Sequence, residues 1–278
     1  MTEINELIAP PAVHTTPNED CPFCPEPDQS NYTTWAGADN DSKDLEAIMD
    51  KPPCLTDRQG GARPQTSRED AKGFIQEQSP PEPKPYDDSK PYTFQAHHLI
   101  SGNQALKGEP FEDWIVASGL TEKDTGYSIN CTGNGFWAPS TPKKYVKRWS
   151  QSKGLLDDNG RQSEAETVME HAGAQIHIGP HNIHDPDDPE GKNHSSYDDY
   201  IKNLLQEMYD REQAWPTHCF LCKPDAKKQT THHVHDHLDN LSVHLRGKLT
   251  GARATWDVFI SKYALEYHKK VCTHIMVE

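Results

Sequence analysis

A chain of 278 residues has room for one large domain or two modest ones. Only 33% of it is hydrophobic, its mean hydropathy is −0.91, and no run approaches the roughly 18 to 20 apolar residues that cross a bilayer, so no membrane insertion is expected. The formal net charge of −15 argues against a passive electrostatic binder of nucleic acid, which would need basic surface.

The opening MTEINELIAPPAVH lacks the basic start and apolar run of a secretory signal, so synthesis in the cytoplasm is expected, with any export independent of such a signal. Residues 1–90 are rich in Pro, Gly, Ser and acids, with proline pairs at Pro10–Pro11, Pro52–Pro53 and Pro80–Pro81. Each proline fixes its own φ and disfavours helix in the residue before it. This lead reads as irregular, with a short helix around Lys43 to Met49. Residues 91–100, PYTFQAHHLI, read as a strand that delivers two adjacent histidines to a turn. A helix over Phe111 to Ala117, with Trp114 and Ile115 inward, should follow. GYSINCTGNGFWAP (126–139) reads as a strand, a Gly-containing turn and a short strand closed by Pro139.

Further helices are expected over Lys143–Trp149 and Glu164–His171. Lys143, Lys144, Lys147, Arg148 and Lys153 form a local basic patch that the net charge conceals, while acids gather at Asp185, Asp187, Asp188 and Glu190. The clearest helix runs from Ser196 to Asp210. Ser196 would cap it, Asp198 and Asp199 occupy the first turn where negative charge is favoured, and Tyr200, Ile201, Leu204, Leu205 and Met208 line one side. The histidine-rich THHVHDHLDNL reads as a short strand or loop with surface histidines, or as a second metal site. Last, Thr255 to Lys269 reads as a helix with Trp256, Phe259, Ile260, Tyr263, Leu265 and Tyr267 in the core.

Seven cysteines include two Cys-x-x-Cys pairs, Cys21/Cys24 and Cys219/Cys222. Such pairs supply two thiolates at zinc spacing. They either share one structural zinc and staple the lead to the rest, or Cys219 and Cys222 combine with two of His232, His233, His235 and His237. Sixteen histidines come in groups: His97–His98, His177 and His181, His184, His194, and the later cluster with His244. Neutral imidazole binds divalent metals, and its pKa also suits it as a base. Adjacent strand residues point to opposite sides, so one member of a doublet can hold a metal while the other faces a water.

QAHHLISGNQAL, the later NGFWAP, the HIGPH and the Tyr-containing helix together resemble the AHH branch of the HNH/endonuclease VII nucleases, over residues 91–208. The resemblance implies an α+β fold, a ββα-metal core embedded in a mostly helical, zinc-stapled domain. Residues 1–90 would form the lead, 91–210 the nuclease and 211–278 a Cys/His-rich and helical extension. It further implies that His97 binds a divalent ion (Mg2+, Mn2+, Ni2+ or Zn2+) and that His98 is the general base. The asparagine that orients the base through its side-chain carbonyl matches Asn134, with Asn130 as the alternative. His177 and His181 match the remaining ligands, or His194 replaces His181 if DPDDPEGKN is a local insertion. Because Gly179 and Pro180 intervene, His177 should precede a helix and His181 lie at or near its start. Asn103 reads as turn, Cys131 as core and His184 as surface.

Members of this family are commonly toxin domains of secreted bacterial effectors. The expected partners are thus DNA as substrate, a cognate immunity protein and a secretion-apparatus component, with delivery from the bacterial cytoplasm into a target cell. The alternatives are a non-nuclease metallohydrolase, which would cleave a simple phosphoester but not plasmid DNA, and a zinc-stapled protein-binding module, which would cleave neither.

Overall fold

A computed structural model describes residues 42–49, 92–112, 129–140, 157–189, 194–213 and 234–275. It is a mixed helix-and-sheet fold, and its described residues divide into two compact units that each draw on three stretches of chain. Among the described residues no helix is long and apolar enough to cross a membrane.

The first unit takes its described residues from Met1–Ile48, His98–Asn134 and Asp198–Leu245. It contains α1 (Ser42–Ile48), close to the short helix expected around Lys43 to Met49, with Leu45 fully buried. After the histidine doublet the chain makes a single π-type turn, Gly102–Leu106, started by the Ser101 hydroxyl accepting the Gln104 N–H and buried through Ala105 and Leu106. The exposed Asn103 lies in that turn.

Helix α3 (Tyr197–Gln213) begins one residue later than expected; within this unit it buries Ile201, Leu204, Leu205 and Met208, the i, i+3, i+4, i+7 set of one helical face. Helix α4 (Val234–Thr250) is a correction, since residues 234–241 of the histidine-rich stretch, read as strand or loop, are its first half. Val234, Leu238, Leu241, Leu245 and Leu249 are all fully buried at helical spacing. Each such side chain is worth about 1.5–3 kcal/mol on burial, enough to override the poor helix propensity of the interleaved histidines. His237 is buried along this helix, and His244 accepts or donates a 2.7 Å hydrogen bond with the Tyr200 hydroxyl.

The second unit takes its described residues from Met49–His97, Gly135–Tyr197 and Arg246–Glu278. Strand β1 (Thr93–His98) pairs with β2 (Gly135–Ser140) in a two-stranded sheet, and all six residues of β2 are buried. Helix α2 (Asp158–Ala172) is longer than the expected Glu164–His171. Asp157 caps its start by accepting the Gly160 N–H at 2.7 Å, and Gly173 ends it at φ +69, a left-handed conformation that costs glycine least. Strand β3 (Ser195–Ser196) pairs in parallel with β4 (Val258–Phe259).

The expected helix from Thr255 starts only at Lys262, as α5 (Lys262–Ile275). Trp256, Phe259 and Ile260 do lie in the core, but in a non-helical segment whose backbone is used elsewhere: Val258 and Phe259 pair with β3, and the Ile260 N–H donates to Gln175 Oε1 at 3.1 Å. Helix α5 packs on α2, and the core between them combines Ala165, Val168 and Met169 with Tyr263, Ala264, Leu265 and Tyr267, plus Tyr92, Ile176, Trp256 and Phe259.

Several expectations lie outside the described residues. These are both cysteine pairs (Cys21, Cys24, Cys219, Cys222), His232 and His233, the basic stretch 143–153, residues 113–117 of the expected helix with Trp114 and Ile115, residues 126–128 of the expected strand, and the lead apart from 42–49.

Candidate active site

In the second unit, β1 presents His97, which is 4% exposed. Beyond β2 the chain bonds again to its end: the His177 N–H donates to the Pro139 carbonyl at 2.7 Å, and the Ser140 hydroxyl donates to the His177 carbonyl at 2.9 Å. Both backbone groups of His177 are thereby fixed to the strand that pairs with the one carrying His97. Gly179, at φ +90, then turns the chain so that His181 comes back towards the same point.

The rings of His97, His177 and His181 form a near-equilateral triangle, with centroid separations of 4.8, 4.9 and 4.9 Å. One nitrogen from each can be chosen so that all lie within 4.8 Å of one another, and the Nε2 atoms of His177 and His181 are 2.8 Å apart. The fully buried Tyr197 ring flanks the triangle, 5.5 Å from His97 and 5.8 Å from His181.

Burial, with the neighbouring His181 in support, pushes the His177 pKa down to about 4, and burial does the same to His181. Both rings are therefore neutral at pH 7, the form that binds metals. Two facing Nε2 atoms at 2.8 Å cannot both carry a proton. Three convergent imidazoles suit a divalent transition ion and leave coordination positions open, so the residues present fit the metal that the histidine pattern suggested.

His194, weighed against His181 as a ligand, is engaged elsewhere. Its Nδ1 lies 2.6 Å from Asp185 Oδ2, and its N–H donates to Asp188 Oδ2 at 2.8 Å. Burial alone would raise the Asp185 pKa, but the Lys269 ammonium, the Asp187 amide and His194 together hold it below the ordinary carboxylate value. His184 is exposed. His181 does not sit at a helix start, as expected: both it and His177 lie in irregular chain, and the helix begins only at Tyr197, whose N–H donates to the His181 carbonyl at 3.2 Å. In the sequence DPDDPEGKN lies between His181 and that helix. Among the described residues no second group of three metal-binding side chains is formed, so the later histidines make no such centre there.

In the first unit, His98 Nε2 lies 2.7 Å from Oδ1 of Asn130. The carbonyl expected from Asn134 therefore comes from its alternative. Asn134 is fully buried, and its side chain is spent on the chain just past His98. Its Oδ1 accepts the Ile100 N–H at 2.7 Å and the Ser242 hydroxyl at 3.2 Å, while its Nδ2 donates to the Ile100 and Ile129 carbonyls at 2.9 Å. Its backbone carbonyl also accepts the Leu99 N–H at 2.9 Å. Two asparagines on one turn, four positions apart, have no spacing signal that separates these duties.

The consequence is testable. Asn134→Ala strands several buried partners and should destabilise the fold by about 3 kcal/mol, measured by urea unfolding, whereas Asn130→Ala should leave the midpoint nearly unchanged. Equal midpoints for the two variants would reject this division of labour. Cys131, expected as core, is buried; that burial and the nearby Asp239 raise its thiol pKa to about 12, so it does not act as a nucleophile at neutral pH.

Residues 82–217 match the model of the AHH family, a nuclease family of the HNH/ENDO VII superfamily with conserved AHH. Over this stretch, just under half of the chain, the sequence is similar to the AHH nucleases. Its AHH triplet is Ala96–His97–His98, which places the family's defining residues at the end of β1. The AHH stretch contains His97, His98, Asn130, Asn134, His177 and His181 and ends before Cys219. No curated protein and no solved structure matches the chain.

Proposed function

We propose that the AHH segment is a metal-dependent endonuclease that hydrolyses phosphodiester bonds of DNA with little sequence specificity. The observation that supports this most is the convergence of His97, His177 and His181 to within 4.8 Å, with the next residue in the chain, His98, hydrogen-bonded to Asn130.

In this reading His97, His177 and His181 hold one divalent ion (Mg2+, Mn2+, Ni2+ or Zn2+). Bound there, the ion supplies positive charge against the extra negative charge of the phosphoryl transition state. His98 is the general base. Donation from its Nε2–H to the Asn130 side-chain carbonyl fixes the tautomer that leaves the lone pair on Nδ1. Nδ1 then accepts a proton from the attacking water as its oxygen bonds to phosphorus and the bond to the 3′ oxygen breaks. The same Asn130 carbonyl stabilises the imidazolium that results. Asn134 contributes by holding Leu99 and Ile100, and through them the backbone that carries His98.

The wider reading is an antibacterial toxin effector, made in a bacterial cytoplasm and delivered into a target cell by a secretion apparatus without a signal peptide. Such an enzyme attacks its producer's genome, so a cognate immunity protein is required. The lead 1–90 and the extension 211–278 flank the nuclease, and Cys21, Cys24, Cys219 and Cys222 carry structural zinc. Zinc-free protein on elemental analysis, purified without chelator, would remove the cysteine assignment.

The test is incubation of the purified chain with supercoiled plasmid across these four ions, with EDTA as control. Nicking and linearisation that EDTA stops is the expected result. Hydrolysis of a chromogenic phosphoester with intact plasmid would move the assignment to a non-nuclease metallohydrolase, and inertness towards both to a binding module.

A further inference from the structure

His97 is held within a strand, and His177 has both backbone groups bonded to one. His181 lies in irregular chain, and the stretch that follows it is tied back at Tyr197, whose N–H donates to the His181 carbonyl. That stretch contains an acid buried as deeply as a core leucine: Asp185 is 1% exposed.

The Asp185 carboxylate gathers partners from three places. It accepts the Asp187 N–H of its own turn at 2.9 Å, faces His194 Nδ1 at 2.6 Å near the far end of the stretch, and pairs with Lys269 of α5. Lys269 also reaches Asp187 at 2.7 Å, and Asp188 Oδ2 accepts the His194 N–H at 2.8 Å. A buried carboxylate is costly unless paired and hydrogen-bonded, so the energy that favours these partners also favours one path for the chain. The partners lie on both sides of the stretch, drawing residue 194 back to residue 185 and both onto α5. In the chain, Asp185 follows His181 by four residues and His194 precedes Tyr197 by three.

We infer that Asp185, clasped by Lys269 and His194, is a positioning residue for the metal ligand His181. The inference rests on the proposed metal centre, and it adds a function for a segment that otherwise reads as an exposed acidic insertion. Asp185 acts through chain closure and touches no ligand ring, so its effect should sit at the lower end of the range for residues that orient metal ligands, about tenfold in affinity.

The experiment titrates the full chain with Mn2+ and follows free ion by electron paramagnetic resonance, because cysteine thiolates compete poorly for Mn2+. Asp185→Asn is expected to weaken Mn2+ binding about tenfold and to speed amide exchange over residues 182–189, with an unchanged far-ultraviolet circular dichroism spectrum. Lys269→Gln should act in the same direction. Asp187→Asn, at a side chain 82% exposed, should leave affinity at the wild-type value. Wild-type affinity in a folded Asp185→Asn protein overturns the inference; if that variant does not fold, Lys269→Gln decides, and wild-type affinity there overturns it equally. A wild-type chain whose Mn2+ binding is insensitive to His97→Ala would fail differently, removing the metal centre and the inference with it.

Discussion

His98→Ala should lower the rate of plasmid nicking by about 10²- to 10⁴-fold, the usual worth of a positioned general base, while leaving thermal stability and metal affinity at wild-type values. The split between these readouts carries the assignment. A residue that only packs would lose stability and activity together, and a metal ligand would lose affinity. Asn130→Ala should follow with a smaller loss, about tenfold, because it removes one charge-assisted hydrogen bond from the imidazolium and not the base itself. Undiminished nicking by a folded His98→Ala protein, measured at saturating divalent ion, would reject His98 as the base.

The second large effect is thermal. An ion held only by the folded chain, present at about 100 times its dissociation constant, adds about 2.7 kcal/mol. For a domain of this size that corresponds to a rise of about 5 to 10 °C in melting temperature. Adding Mn2+ to the wild-type chain should produce that rise, and EDTA should reverse it. His177→Ala should melt at a temperature that Mn2+ no longer shifts, since His177 is the proposed ligand whose backbone N–H and carbonyl are both bonded to β2. A full Mn2+-dependent rise in His177→Ala would place the ion elsewhere.

Local signals carried the parts of the fold that are built from local interactions. The strand ending in His97–His98 was legible from a short apolar run punctuated by polar residues, and α3 from Ile201, Leu204, Leu205 and Met208 on one face. Helix α4 was legible too, but only over its whole length. Its leucines continue to Leu249, whereas the eye stops at the histidines of its first two turns. Trp256, Phe259 and Ile260 show the opposite failure. Their spacing fits a helix, yet their backbone hydrogen bonds go to β3 and to Gln175, partners far away in the chain that no periodicity announces.

At the site, the residue types were readable and the choices among like residues were not. The spacing favoured His181 and left His194 as the alternative; in the folded chain His194 faces the buried Asp185, while His181 lies with His97 and His177. Asn130 and Asn134 are divided by a fold that takes three backbone hydrogen bonds and one to the Ser242 hydroxyl from a single amide, a demand that exists only once the chain is folded.

The interleaving of the second unit has a practical side for anyone expressing the nuclease alone. A gene fragment ending at residue 217 encodes His97, His98, Asn130, Asn134, His177 and His181, yet it omits Trp256, Phe259, Tyr263, Ala264, Leu265 and Tyr267, the larger share of the apolar partners that cover α2. Such a fragment would present the bare side of that helix to solvent and collect in inclusion bodies. Minimal active versions have to retain the tail through residue 275.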